Sequence, residues 1–257
     1  MAKKEERRIL ILDIETLPDL PKILKHLPRV DDWPSNSMKA TINSVLCIGF
    51  KWLGESRTHI LNNWDYSGWK RSVNDDKELL KAFAKIFNEA DAIVTQNGKR
   101  FDLKFLQTRY VINELPPLDH KVLHLDTKQI AKRYLFAMGN RLNDLAEITG
   151  SNLKMENGGW ELWEKCWRKE PKALAMMAKY CKQDVKTLEE VFIKLRPFVT
   201  QLPNANMWSL EKTNCPTCGS LNIQKHGMRV TKEGIKQRYR CNECGSVSQE
   251  SKKGPTT

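Results

Sequence analysis

The stretch ILILDIET, residues 9–16, constrains the fold more than any other part of the chain. It is apolar at five of its first six positions, a pattern typical of a strand buried on both faces of a sheet. Asp13 and Glu15 interrupt and end this run, and because side chains alternate along a strand, both carboxylates point to the same side. A buried strand that ends in two neighbouring negative charges requires something to stabilise them.

The composition indicates a globular chain with a substantial core. The 257 residues are 40% hydrophobic and 29% charged, which suits one large domain, or one domain with an appendage. No apolar stretch approaches the roughly 20 residues that span a bilayer, and the basic N-terminus lacks the apolar run and cleavage site of a signal peptide. We therefore expect a soluble, intracellular (cytoplasmic) protein without a membrane partner.

The charge balance favours a polyanionic partner. The chain has 43 Lys and Arg against 31 Asp and Glu, a formal net charge of +12. Binding to phosphate groups depends on Lys and Arg, so nucleic acid is the favoured partner. A purely solubilising surface is the alternative.

Predicted elements indicate an α/β domain around a mixed sheet. Strands lead and then alternate with helices, which is the pattern of that fold class. After the first strand, residues 17–44 have no clear periodicity and are interpreted as an irregular excursion. The predicted strands are 44–53, 57–64, 91–98 and 120–127, and the predicted helices are 75–90, 101–114, 128–137, 141–149 and 171–199.

Two further stretches carry acids at the ends or faces of predicted elements. VTQNGKRFD, residues 94–102, ends a strand, turns at Gly98 and presents Asp102 at the start of a helix. KYCKQDV, residues 179–185, places Tyr180 and Asp184 on one helix face. Turn, capping and solvated positions are the ordinary interpretation of each. Taken with Asp13 and Glu15, they favour a shared divalent cation, because Mg²⁺ and Mn²⁺ prefer oxygen ligands and relieve the repulsion between carboxylates.

The motifs DIET, NGKRFD and YCKQD, in this order and spacing, resemble those of the DEDD superfamily of 3′→5′ exonucleases. The Tyr that lies four residues before the last Asp resembles the tyrosine that characterises the DEDDy branch. This branch includes the proofreading domain of family-B DNA polymerases. The resemblance spans about residues 7–198. The phrase GGWELWEKCWRKEPKALAMMAKYCKQDV, with the cysteine-rich C-terminus described below, further resembles free-standing exonucleases of bacteriophages.

This resemblance implies an RNase H-like fold and a two-metal nuclease site. Two Mg²⁺ or Mn²⁺ ions, with Asp13 bridging them, would serve hydrolysis of a phosphodiester. Tyr180 would orient the attacking water, since a phenol ordinarily titrates near pH ~10 and is a poor base at neutral pH. Asn97 would hydrogen-bond the terminal nucleotide and Phe101 would pack on it, with a core position as the equal alternative for Phe101. The implied metal ligands are Asp13, Glu15, Asp102 and Asp184.

The C-terminal cysteines predict a zinc ribbon. CPTCG (215–219) and CNECG (241–245) form two C-x₂-C pairs separated by 22 residues, a spacing that fits one tetrahedral Zn²⁺ bound by four thiolates. The intervening residues are typical of a hairpin that turns around Glu233 and Gly234. We predict an exonuclease domain at 1–200, a linker at 201–212 and the ribbon at 213–257. The ligands would be Cys215, Cys218, Cys241 and Cys244.

The ribbon has three candidate roles: gripping nucleic acid, docking a protein, and stabilisation alone. In KQRYR, residues 236–240, basic residues alternate with an aromatic residue that could stack on a base, which favours the first role.

Several other residues have ordinary structural interpretations. Asp126 is expected to cap a helix rather than bind metal, and Asp144 to be a surface or capping acid. Cys47, Cys166 and Cys181 are expected to be reduced core residues. The spacing of Trp160, Trp163 and Trp167 is typical of a helix-packing stripe, with a stacking platform for single-stranded substrate as the alternative.

The sequence thus predicts a 3′→5′ exonuclease that trims single-stranded DNA or the 3′ ends of duplex DNA. The same chemistry on RNA, and a non-catalytic nucleic-acid-binding protein, are the alternatives. A replication or recombination protein is a candidate partner.

Overall fold

The computed structural model describes residues 8–18, 43–119, 121–152, 155, 159–199, 214–232 and 234–249. The chain divides into two compact units, Arg8–Phe192 and a second unit formed by Met1–Arg7 with Ile193–Thr257. The predicted linker 201–212 and most of the predicted excursion, residues 19–42, lie outside the described residues.

The first unit is built on a five-stranded mixed sheet. Its spatial order is β3-β2-β1-β4-β5. β1 pairs antiparallel with β2 and parallel with β4, while β3 and β5 form the two edges. The mixed α/β architecture predicted from the sequence is confirmed. The strands are β1 Ile9–Pro18, β2 Asn43–Trp52, β3 His59–Asn62, β4 Ala92–Thr95 and β5 Leu123–Asp126.

Seven helices surround this sheet in the described residues. The long C-terminal helix was predicted to reach residue 199 but ends at Leu195, and a 3₁₀ turn, Arg196–Phe198, follows it. Pro197 explains this early end, because proline disfavours the helical conformation of the residue before it. The helices are α1 Ser67–Arg71, α2 Lys77–Phe87, α3 Asp102–Ile112, α4 Thr127–Tyr134, α5 Leu142–Thr149, α6 Trp160–Trp167 and α7 Pro171–Leu195.

Two apolar clusters cover the two faces of the sheet. Leu10, Leu12 and Ile14 of β1 pack in one cluster with the buried faces of α2 and α3. Leu46 and Cys47 of β2 pack in the other cluster with α6 and α7. The sheet is therefore sandwiched between helices, as the unbroken apolar run of β1 predicts for a strand buried on both faces.

The second unit contains a three-stranded antiparallel sheet in the order β6-β7-β8. β6 Ile223–Thr231 and β7 Gly234–Cys241 form the predicted hairpin, and the short β8 Val247–Gln249 was not predicted. Among the described residues, no helix combines the length and apolar character that crossing a membrane requires.

A buried ion pair connects the sheet to the helix that begins with Asp102. The Asp76 carboxylate accepts hydrogen bonds from Nε and Nη2 of Arg109 on α3, at 2.8 Å each. It also accepts from the backbone N–H of Val45 on β2, at 2.9 Å, and from Nδ2 of Asn113, at 2.9 Å. One buried acid thus joins β2, the start of α2 and the far end of α3.

Replacing Asp76 with Ala is expected to lower the free energy of unfolding by about 3–5 kcal/mol, because the buried Arg109 would lose its counter-charge. The measurement is urea denaturation followed by tryptophan fluorescence. Glu164→Ala is the matched control, since its pair with Arg168 is exposed and is expected to contribute less than about 1 kcal/mol. Equal effects of the two substitutions would contradict this prediction.

Candidate functional site

The register of β1 places its two acids beside β2. Asp13 lies opposite Gly49, and Glu15 lies opposite Cys47. Two residues apart on one strand, the acids point to the same side of the sheet, and both are half-buried. The apolar residues Leu10, Leu12 and Ile14 point to the opposite face. The alternation of the strand therefore directs Asp13 and Glu15 toward the α7 side of the sheet.

α7 brings the third acid to the same place. Asp184 is 1% exposed, and one carboxylate oxygen each from Asp13, Glu15 and Asp184 lie within 4.8 Å of one another. Three carboxylates at this separation repel one another strongly in a partly buried setting. The fold must hold them together against that repulsion.

Gly49 permits the close approach of α7. A Cβ atom at Gly49 would lie 2.8 Å from Sγ of Cys181 and 3.2 Å from its carbonyl oxygen. The Cys181 thiol also lies 3.7 Å from the carbonyl oxygen of Asp13, to which it donates. Sequence reasoning missed both residues as parts of the site. The signal was a single glycine within an otherwise apolar strand, which marks a close approach of another element.

Asp102 is next to β1 but is not part of the three-acid cluster. Its buried carboxyl accepts a hydrogen bond from the backbone N–H of Ile14, the residue between the two strand acids. Burial raises the pKa of Asp102 to about 7; the bond from Ile14 opposes this rise, and the negative charge of Asp126 adds to it. Asp102 thus contacts the backbone that carries Asp13 and Glu15.

The structure places the predicted water-positioning residue and the two predicted nucleotide contacts in three different environments. Tyr180 is 5% exposed and lies one helical turn before Asp184, within the cluster between the sheet and α7. Asn97 adopts a left-handed conformation with φ of 67° in the turn that precedes α3. Phe101 packs partly against the core, and its ring lies tilted against that of Phe105 at a centroid distance of 5.7 Å. This contact gives Phe101 a structural role, whether or not it also touches a nucleotide.

Asp126 holds the turn that contains Asn97. Its carboxylate caps α4 by accepting from the N–H groups of Lys128 and Gln129, as the sequence predicted. It also accepts from the N–H groups of Asn97 and Lys99, at 3.0 and 3.1 Å. This second function was not predicted, because it depends on β4 and β5 ending side by side.

Asp144 has a purely capping role, since its carboxylate accepts a hydrogen bond from the N–H of Arg141 at 2.7 Å. The predicted capping roles of Asp126 and Asp144 are therefore confirmed.

The donor set suits a hard divalent cation. Asp13, Glu15 and Asp184 offer only carboxylate oxygens, and Mg²⁺ and Mn²⁺ prefer such ligands over nitrogen or sulfur. Cations at this point would also neutralise the mutual repulsion of the three acids. The cluster is therefore a candidate metal site, and Asp102 is a candidate outer partner or fourth ligand.

The four ribbon cysteines form a second candidate site. One sulfur from each lies within 4.8 Å of the others, with 3.7 Å between Cys215 and Cys244 and 3.6 Å between Cys218 and Cys241. These separations are far beyond the ~2.05 Å of a disulfide. They match the edge of about 3.8 Å of a sulfur tetrahedron with Zn–S bonds near 2.3 Å.

Local hydrogen bonds favour a thiolate in this cluster. Burial raises the pKa of the Cys215 thiol, but bonds from the Ser246 hydroxyl and from the N–H groups of Thr217 and Cys218 outweigh this effect and lower the pKa to about 6. A thiol that ionises near neutral pH is a suitable zinc ligand.

The other three cysteines pack together behind the acid cluster. Cys47, Cys166 and Cys181 are fully buried, free thiols in the same apolar cluster, which confirms the prediction of reduced core residues. Burial raises the pKa of Cys166 to about 12. These thiols therefore behave as small apolar side chains.

The tryptophans of α6 pack as a helix stripe. Trp163 and Trp167 contact the same apolar cluster, which confirms the packing interpretation for these two residues. The Trp163 indole also donates to the carbonyl oxygen of Thr16 at 3.1 Å, so that α6 fixes the end of β1 just beyond Glu15.

Asp13→Asn is expected to raise the melting temperature in the absence of Mn²⁺, because it removes one of three repelling charges. In wild type, Mn²⁺ at about 100 times its Kd is expected to add about 2.7 kcal/mol, or about 5–10 °C, and the variant should lose most of this increase. The measurement is a thermal melt with and without MnCl₂. Glu114→Gln, which removes an exposed acid elsewhere, should behave as wild type; a full Mn²⁺ effect in Asp13→Asn would refute the site.

Cys218→Ser and Cys241→Ser are each expected to reduce bound zinc from about one equivalent per chain to nearly none, because a structural zinc site needs all four ligands. The measurement is elemental analysis of the purified protein. Cys166→Ala removes a cysteine from the first unit and should keep its zinc. Retention of zinc by both ribbon variants would show that the cysteine cluster is not the site.

Comparison with known proteins agrees with this fold. The family model of the RNase_H superfamily matches residues 37–196, more than half of the chain, a range that includes Asp102, Tyr180 and Asp184 but begins after β1. A family B DNA polymerase from the hyperthermophilic archaeon Pyrobaculum calidifontis is similar in structure, with a TM-score of 0.56 and 15% identity over 88% of this chain and 31% of the polymerase chain. At this identity the likeness is one of fold. No curated protein matches in sequence. The chain belongs to the RNase_H superfamily.

Proposed function

We propose that this protein is a metal-dependent 3′→5′ exonuclease of the DEDDy type that acts on single-stranded DNA and on the 3′ ends of duplex DNA. The observation that carries the proposal is the convergence of Asp13, Glu15 and Asp184, with ligand oxygens within 4.8 Å of one another, at the end of the central strand. A scaffold without catalytic function has no need to keep three repelling carboxylates in contact.

The chain's own residues supply the metal ligands and hold them in position. Asp13, Glu15 and Asp184 would hold two Mg²⁺ or Mn²⁺ ions, and Asp102 would complete the set from its position against Ile14. Ions held there would make water more acidic and stabilise the entering and leaving oxygens of a phosphodiester.

Tyr180 is assigned to position the attacking water. It shares a face of α7 with Asp184, one turn away, and its burial among apolar side chains limits its rotation. A buried phenol one helical turn from a proposed metal ligand is suited to orient a water molecule rather than to remove its proton.

The turn that leads into α3 is assigned to the terminal nucleotide. Asp126 fixes this turn through the N–H groups of Asn97 and Lys99. The Asn97 side chain would then hydrogen-bond the nucleotide, and Phe101 would pack on it. The zinc ribbon, with Cys215, Cys218, Cys241 and Cys244 bound to one Zn²⁺, would assist nucleic-acid binding, and a replication or recombination protein is the proposed partner.

Asp184→Asn tests this function. Loss of a partner outside the ligand shell already costs about 10–100-fold in a metal site, so loss of a ligand should lower hydrolysis at least about a hundredfold. The assay measures nucleotide release from a labelled oligonucleotide in Mn²⁺, together with binding in Ca²⁺, which should change less than about threefold. Glu114→Gln is the matched control and should retain wild-type hydrolysis.

The position of the label determines polarity. A 5′-labelled strand should give a ladder of progressively shorter products, whereas a 3′-labelled strand should release the labelled mononucleotide at once. Unimpaired hydrolysis by Asp184→Asn, or release from the 5′ end, would refute the proposal.

RNA is the second candidate substrate. The family resemblance covers enzymes of both kinds, and matched DNA and RNA oligonucleotides of one sequence would separate them. If RNA is degraded faster than DNA, RNA becomes the assigned substrate. Binding of the oligonucleotides without hydrolysis in Mg²⁺ or Mn²⁺ would identify a non-catalytic nucleic-acid-binding protein.

A further inference from the structure

The ribbon of the second unit carries an excess of positive charge. Residues 214–249 contain two acids, Glu233 and Glu243, and Glu243 lies in the second cysteine loop, where it accepts a hydrogen bond from Asn222. The same residues contain six bases, Lys225, Arg229, Lys232, Lys236, Arg238 and Arg240. Their arrangement on the sheet decides what this charge can do.

Strand alternation puts four of the six bases on one face. Lys236, Arg238 and Arg240 alternate along β7 and therefore point the same way. Arg229 of β6 lies directly opposite Lys236 and shares its face, because paired residues of antiparallel strands project to the same side. We call the surface formed by Arg229, Lys236, Arg238 and Arg240 the cationic face.

The opposite face has a different character. Tyr239 and Ile235 alternate with the bases on β7 and point away from them. Their partners on β6, Lys225 and Val230, share that second face. Ile235 and Val230 are 65% and 80% exposed, so the second face is largely apolar toward the hairpin end. The two faces of the sheet thus differ: four of the six bases lie on one, and exposed Ile235 and Val230 lie on the other.

A bulge in β6 lies beside Arg238 of the cationic face. The register shifts between Lys225 and Met228, where Gly227 adopts a φ of 72°. A Cβ atom at Gly227 would meet only Nη2 of Arg238, at 3.6 Å. The Arg238 guanidinium thus lies beside Gly227 at the bulge, at a distance of ordinary van der Waals contact from the position a Cβ atom would take.

The spacing of these bases suits an extended polyanion. Residues two apart on a strand are separated by about 6.8 Å, so Lys236, Arg238 and Arg240 form a row of about 14 Å. This repeat is comparable to the distance between successive phosphates of an extended nucleic-acid strand. Three of the four bases are arginines, whose planar guanidinium can bind two phosphate oxygens at once.

We propose that the cationic face binds the sugar–phosphate backbone of the nucleic-acid substrate, an inference that rests on the proposed function for the identity of that nucleic acid. Tyr239 does not take part, because it points to the opposite face. A base stacked on Tyr239, as the KQRYR sequence suggested, would therefore lie on the opposite side of the sheet from the phosphate contacts. Binding by this face is independent of base sequence.

A salt titration of binding tests the proposal. The full-length zinc-loaded protein is titrated with fluorescein-labelled oligothymidylate in Ca²⁺, and log K is plotted against log[salt]. Each phosphate contact on a single strand contributes about 0.7 to the slope, so Arg229→Ala/Arg238→Ala/Arg240→Ala should reduce the slope by about 2 and weaken binding on the order of tenfold at physiological salt. Arg240→Ala alone should reduce it by about 0.7.

Lys225→Ala is the matched control, because it removes an exposed base from the other face of the same sheet. It should change the slope by less than about 0.3, and every variant should keep one zinc, which verifies the folded ribbon. A wild-type slope in the triple variant, or an equal loss in Lys225→Ala and Arg240→Ala, would overturn the cationic face as the binding surface.

Hydrolysis separates this inference from the proposed function. In Mg²⁺ with subsaturating oligonucleotide, the triple variant should lower kcat/KM on the order of tenfold, because its bases hold the substrate. The wild-type protein could show the salt slope that the triple variant loses and yet release no nucleotide. That result would overturn the proposed exonuclease activity and support the cationic face as the binding surface.

Discussion

The structure depends on holding three like charges together. Asp13, Glu15 and Asp184 come from a central strand and a distant helix, and their oxygens lie within 4.8 Å of one another. The carboxylates of such a cluster repel one another, so the surrounding fold must be rigid enough to keep it assembled. Each element near the cluster has an identifiable contact that provides this rigidity.

Buried polar anchors hold the helices that carry the acids. Lys51 of β2 pairs with Glu189 of α7, about one turn beyond Asp184, and both side chains are nearly buried. On the other face, Asp76 fixes α3 through Arg109. Breaking a buried pair leaves an uncompensated charge, so these anchors make displacement of either helix costly. Buried ion pairs thus hold α7 on one face of the sheet and α3 on the other.

Sequence reasoning succeeded where the signal was local. The apolar run of β1 and the caps at Asp126 and Asp144 follow from periodicity and hydrogen bonding within a few residues. It failed where two distant segments meet: the lone Gly49 marks a close approach of some element, but nothing near it in sequence identifies that element as α7. The three scattered cysteines behind the cluster were recognised as core, but their proximity to one another was not.

By itself, the sequence determined the class of the fold, the strand that carries two acids and the two cysteine pairs, because each depends on alternation, spacing or side-chain chemistry along the chain. Only the tertiary structure decided which acids lie together, with Asp102 held against Ile14 beside the three-acid cluster. It also decided that the ribbon's arginines and Tyr239 lie on opposite faces of one sheet. The physical reason is that register and packing distance relate residues far apart in the chain, and no local pattern contains them.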